Sequence, residues 1–325
     1  KELKSGWTKL KDGFKDYGAA TKAFGFDLSK IEGVLSGASL EDFRSRVESF
    51  LAHTDKKLVI FIDDIDRLDR NEISVLFKTI KLTGSFENTT YFLAFDEDMV
   101  ASAIGRNYGN GDYEAGKKFL EKIIQVPLYL PKIQTEDLQQ ICLEKINDII
   151  ENSGVSVEDA DVRRFNYQFT YNILRRIKTP RAVVRYTNKV SFSLPILIGE
   201  CNPTDVLLIE AIREFYPEHY DLIKLNPHFF ISDDLEPVYS FGGGKTDKYK
   251  LARDAFDKAN STLINQDKES AKDLLKDLFP QFESIDRNIG FSKEQFKSWY
   301  SGKRICSSSY FERYFSYAVL EGEIS

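Results

Sequence analysis

An α/β core built on a parallel sheet, followed by a helical lid and a mostly helical C-terminal domain, is the fold this sequence predicts. Three observations predict it. Leu58-Val59-Ile60-Phe61-Ile62 is an unbroken apolar run that ends in two carboxylates, Asp63 and Asp64, and a run without polar alternation suits a parallel strand covered on both faces. Tyr91-Phe92-Leu93-Ala94-Phe95 repeats the pattern and ends in Asp96, so that one helix between two strands makes a βαβ unit. Beyond Pro131 the spacing turns helical, with Leu138, Ile141, Cys142, Ile146 and Ile149 on one stripe behind Thr135 as the expected N-cap. The expected divisions are a core over 1–131, a lid over 132–200 and a C-terminal domain over 201–325.

The individual elements follow from local chemistry. Residues up to about 55 read as polar and loosely helical, with Leu40, Phe43, Val47 and Phe50 as a short amphipathic stripe. Asp69 with Glu72 three residues on forms a capping box, and Ile73, Leu76, Phe77 and Ile80 then share one apolar helical face. Gly105 to Gly116, with Gly109 and the Asn110-Gly111 pair, reads as a mobile loop. Phe119 to Gln125 reads as a helix end, and Val126 to Leu130 as a third strand at a sheet edge, where Pro127 and Pro131 are tolerated. Pro180 suits the first turn of a helix that lines up Arg181, Arg185 and Lys189 at i, i+4 and i+8.

Composition narrows the function classes. With 325 residues, 42% hydrophobic and 30% charged, the chain is an ordinary globular sequence, and its net charge of −6 offers no general attraction to nucleic acid or anionic membranes. Cys142, Cys201 and Cys306 form no CxxC pair, which argues against a disulfide framework or a zinc site and suits a reducing cytoplasm. No window approaches the roughly 20 apolar residues that span a bilayer. The chain opens on Lys1 and holds one methionine, Met99, and so reads as a fragment of a longer product.

Apolar strand followed by acid is the Walker B pattern. In that pattern Asp63 holds Mg²⁺, which bridges the β and γ phosphates of ATP, and Asp64 orients or deprotonates the attacking water. Asp96, at the end of the neighbouring strand, is either a sensor of the γ phosphate or a helix cap. Val162 to Gly199 contains no acid but carries Arg163, Arg164, Arg175, Arg176, Lys178, Arg181, Arg185 and Lys189. A cation in a first helical turn opposes the helix dipole, so Arg181 points to an external anion such as a γ phosphate reached from the lid. The alternatives are a solvated basic face or an interdomain ion pair. Gly242-Gly243-Gly244-Lys245-Thr246 mimics the end of a phosphate loop, but GxxxxGK[ST] requires glycine where Tyr239 stands, so a surface turn is expected.

In this order and spacing the segments resemble the KAP family of P-loop NTPases. Phe61 to Leu68 is similar to the family's Walker B, Phe92 to Asp96 to its next strand, and Thr179-Pro180-Arg181-Ala182-Val183 stands in the place of a lid arginine. Phe119 to Pro127, Pro203 to Arg213, and Arg304 through Tyr317 resemble further blocks. The departure is that no Walker A motif occurs in these 325 residues; in the family it lies upstream. The resemblance implies the Walker B half of an ATP-driven regulatory switch in bacterial defence, with Mg·ATP bound between core and lid. Other readings are an inactive scaffold that presents Tyr310, Phe311, Tyr314, Phe315 and Tyr317, or a homo-oligomer in which Arg67 or Lys122 acts across the interface. Nucleic-acid binding through Arg163 to Lys189 is a third, with no stacking platform evident in the sequence.

Overall fold

The computed structural model describes residues 57–84, 86–108, 113–231, 244–282 and 291–316, with isolated positions between 45 and 53. Of the expected early stripe only Val47 is described; Leu40, Phe43 and Phe50 lie outside the described residues. The chain divides into two compact units, Lys1–Leu130 and Pro131–Ser325.

In the first unit, strands β1 (Leu58–Ile62) and β2 (Thr89–Leu93) pair in parallel, with Leu58 opposite Thr89 and Ile62 opposite Leu93. Helix α1 (Arg70–Thr83) connects them and begins as expected. The Asp69 carboxylate accepts the N–H groups of Asn71 at 2.7 Å and Glu72 at 2.9 Å, while Glu72 accepts the Asp69 N–H at 3.0 Å. Ile73, Phe77 and Ile80 are buried on its inner face. Ile73 and Phe77 pack with Ile65, and with Val100, Ala101 and Ile104 of α2 (Glu97–Tyr108) and Leu120 of α3 (Tyr113–Glu121).

Three sequence expectations change here. The strands are not covered on both faces: Ile62 and Leu93 pack on this core, but Val59 and Phe92 are 46% exposed and Phe61 76% exposed among the described residues. The in-register pairing stacks Phe61 on Phe92, ring centres 5.0 Å apart. The expected loop from Gly105 to Gly116 is instead the end of α2 and the start of α3, with 109–112 outside the described residues. Its glycine serves packing: a Cβ on Gly116 would lie 1.9 Å from the Ala101 carbonyl oxygen, so only a residue without a side chain lets the helices approach this closely. Finally, Val126 to Leu130 forms no strand, and Leu128, Tyr129 and Leu130 are exposed. With Pro127 inside it and Pro131 after it, the segment has fewer N–H groups to offer a ladder.

The second unit is helical. It comprises α4 (Thr135–Ser153), α5 (Asp159–Gln168), a π-helical turn (Phe169–Ile173), α6 (Pro180–Ile196), α7 (Pro203–Phe215), α8 (Pro217–Leu225), α9 (Gly244–Ala259), α10 (Asn265–Leu278) and α11 (Lys293–Ser301). Thr135 opens α4 one residue after Gln134, which takes the cap position without a side-chain bond. One apolar core runs from Leu138 to Tyr314. Phe311 and Tyr314 are buried in it and Tyr310 and Phe315 pack against it, so these four aromatics serve the core; Tyr317 lies outside the described residues. Gly244 to Thr246 open α9 rather than forming a turn, while Gly242 and Gly243 lie outside the described residues.

Candidate functional site

Parallel pairing brings the acidic ends of β1 and β2 to one edge. The Ala94 N–H donates to the Ile62 carbonyl at 2.9 Å, which puts Asp63 next in line on one strand and Asp96 two residues past Ala94 on the other. This is the carboxyl edge where α/β sheets bind ligands. Asp63, Asp64 and Asp96 are all exposed.

Each acid has a distinct setting. Asp63 Oδ1 accepts the Asp64 N–H at 2.7 Å, which leaves its other oxygen for a ligand. Asp64 adopts a left-handed backbone, φ 58° and ψ 30°, a conformation Asp tolerates better than most side chains. The chain turns sharply there into a 3₁₀ turn, Ile65–Arg67, that drives Ile65 fully into the core. Arg67 pairs with Asp64 at 3.0 Å, with both side chains more than half exposed. Asp96 caps α2, its Oδ1 accepting the Met99 N–H at 2.9 Å. Lys122 is exposed just past α3. Among the described residues no cluster of three or more His, Cys, Asp or Glu is arranged to hold a metal ion.

Arg181 belongs to the second unit. Thr179 caps α6, its hydroxyl accepting the Ala182 N–H at 3.2 Å, with Pro180 in the first turn. The expected stripe of three cations divides: Arg185 and Lys189 both pair with the buried carboxylate of Glu214, Lys189 at 2.9 Å. Arg181 is exposed and has no carboxylate partner among the described residues. Glu214 carries no motif; its distance along the chain hid it.

The rest of the basic run is also largely neutralised from within. Arg164 pairs with Asp161 at 3.1 Å, Asp277 at 2.7 Å and the fully buried Asp205. Arg175 and Arg176 share Asp267, at 3.2 and 2.6 Å. Asp205 also accepts from Arg304 Nε and the Ile305 N–H, both at 2.8 Å. Burial would raise the Asp205 carboxyl, but Arg304 and Arg164 hold it below its ordinary range. Asp277, where burial prevails over Arg164, is raised. A continuous unpaired basic face from Arg163 to Lys189 is therefore absent among the described residues; Arg163, Lys178 and Arg181 are exposed without an ion pair. The thiols of Cys142, Cys201 and Cys306 are buried, unpaired and pushed up to about 12 by desolvation. Among the described residues no helix is long and apolar enough to cross a membrane.

Sequence reading missed one surface feature, a pair of exposed tyrosines at Tyr167 and Tyr171 with ring centres 4.9 Å apart. Their i, i+4 spacing was the available signal.

The chain is similar to the phage T7 exclusion protein of Escherichia coli (strain K12), 23% identical over 178 residues, which are 55% of this chain and 24% of that protein. The match thus spans about a quarter of that relative's length. No solved structure matches the chain. The model of the KAP family P-loop domain matches residues 7–197, more than half of the sequence, and the chain belongs to that family.

Proposed function

We propose that this chain supplies the Walker B end of an Mg·ATP site and that the protein is an ATP-hydrolysing regulatory switch in bacterial phage exclusion. The observation that carries the reading is the shared carboxyl edge of β1 and β2, with Asp63 exposed and one of its oxygens uncommitted. The uncommitted Asp63 oxygen, a hard carboxylate donor, fits Mg²⁺, which takes few protein ligands and keeps waters and phosphates for the rest. Asp63 would hold the metal, which when bound offsets charge on the phosphates. Asp64 directs the attacking water, and Arg181, exposed and unpaired in the second unit, is available to an anion. Asp96 serves first as the cap of α2, and any part in sensing phosphate is secondary to that bond. The setting is the cytoplasm, where ATP is available and buried thiols stay reduced. The phage context rests on the relative's name and on family membership.

The second reading is a scaffold that keeps the fold without turnover. Mg-dependent ATP hydrolysis by the full-length protein, measured beside Asp64→Asn, separates the two. The switch reading expects turnover that falls by about a hundredfold or more in the variant. Equal turnover in both proteins removes Asp64 from the chemistry, and a parent that neither binds nor hydrolyses ATP leaves the scaffold.

A further inference from the structure

We propose that the outer face of α5 and the π-helical turn after it binds single-stranded nucleic acid, with bases stacked on Tyr167 and Tyr171 and a phosphate on Arg163. These residues stand at i, i+4 and i+8 and so project from one side of the helix, while Phe165, Phe169 and Ile173 turn inward and are buried. The two tyrosines are therefore not needed to build the core. They are 55% and 64% exposed, their rings 4.9 Å apart and inclined at 46°. More than half of each tyrosine is open to a ligand, and stacking on such rings tolerates any base.

The π-helical turn gives this face a fixed shape. Its inner side is tied by Asn172 Nδ2 donating to Gln168 Oε1 at 2.7 Å and by Tyr216 donating to the Asn172 carbonyl at 3.0 Å, all in the buried core. Tyr171 is thereby held beside Tyr167 on a backbone that does not need to reorganise on binding. π turns of this kind often mark functional sites.

Charge selects the partner. Arg163 is exposed and unpaired among the described residues, and no carboxylate occurs in the chain from Val162 to Gly199. Of the nearby acids, Asp161 is engaged by Arg164 and by Asn202 Nδ2 at 2.9 Å; Asp159 stands one turn before Arg163 on the same stripe, exposed and without an ion pair to it, and Glu158 is the N-cap residue before the helix. A cation beside two open rings suits an anionic polymer with flat bases better than an uncharged apolar partner. One phosphate contact and two stacked bases make a modest footprint, so the affinity is low and salt-sensitive.

The test is fluorescence anisotropy of a labelled oligothymidylate with the 325-residue chain, in salt from about 50 to 200 mM. Binding is expected at low salt, weakening as salt rises, with Tyr171→Ala and Tyr167→Ala each costing about tenfold in affinity. Tyr171→Phe should bind like the parent, because stacking needs the ring and not the hydroxyl, and Arg163→Gln should shallow the salt dependence. Thermal melts of the same variants check that these surface changes leave the fold intact. The proposal is overturned by no binding at the lowest salt, by binding that ignores both tyrosines, or by sedimentation showing that the tyrosines drive self-association instead.

Discussion

The acidic edge of the first unit and the acidic centre of the second use the same ion pair to opposite ends. Arg67 meets Asp64 with side chains 68% and 52% exposed, whereas Arg164 meets Asp205 with side chains 15% and 0% exposed. In water the first pair is weak and easily exchanged for a ligand. Out of water the second cannot lose a member without stranding a charge. Carboxylates at the β1 edge retain free oxygens, while those facing the basic run are consumed by structure.

The largest effect should come from the buried side. Asp205→Asn removes the charge that Arg164 and Arg304 converge on, and urea unfolding should show a loss of about 3–5 kcal/mol. An unchanged midpoint would mean that Asp161 and Asp277 suffice for Arg164 and that the contrast between the two regions is overstated. A smaller effect should come from His219, 1% exposed, whose Nε2 faces Asn260 Oδ1 at 3.0 Å while Nδ1 is buried without a partner. Burial lowers its affinity for a proton in the folded state. The unfolded chain therefore binds more protons below about pH 6.5, and stability should fall with acid by up to about 1.4 kcal/mol per pH unit from this group. Melts at pH 7 and 5 should show the drop, and His219→Gln should flatten it. The smallest effect on stability is expected of Arg67→Gln, within about 1 kcal/mol. If that variant instead unfolds the protein, the exposed pair is a structural tie and the acidic edge is less open than its exposure suggests.

Much of this was legible in the sequence, because it is written in residues close together. The β1 run, the capping box of Asp69 and Glu72, and the start of α6 at Thr179-Pro180 each depend on bonds within four residues. The candidate site was legible to the same extent: Asp63 and Asp64 follow from the strand that precedes them, and Arg181 from the proline before it. Features that depend on contacts between elements were read less well. Gly105 to Gly116 looked like a loop because glycine signals a turn as readily as a close helix crossing, and only the Ala101 carbonyl distinguishes the two. Val126 to Leu130 looked like a strand because its side chains are apolar, although a strand also needs a neighbour to bond with.

By itself the sequence determined an apolar strand ending in acid, the cap that follows it, and a cation in the first turn of α6. Tertiary structure alone decided which charges stay available. Arg164 finds Asp277 across 113 residues and Arg176 finds Asp267 across 91. Charge counts along a chain carry no information about such pairings, since an ion pair forms through space and its strength is set by how much water folding removes.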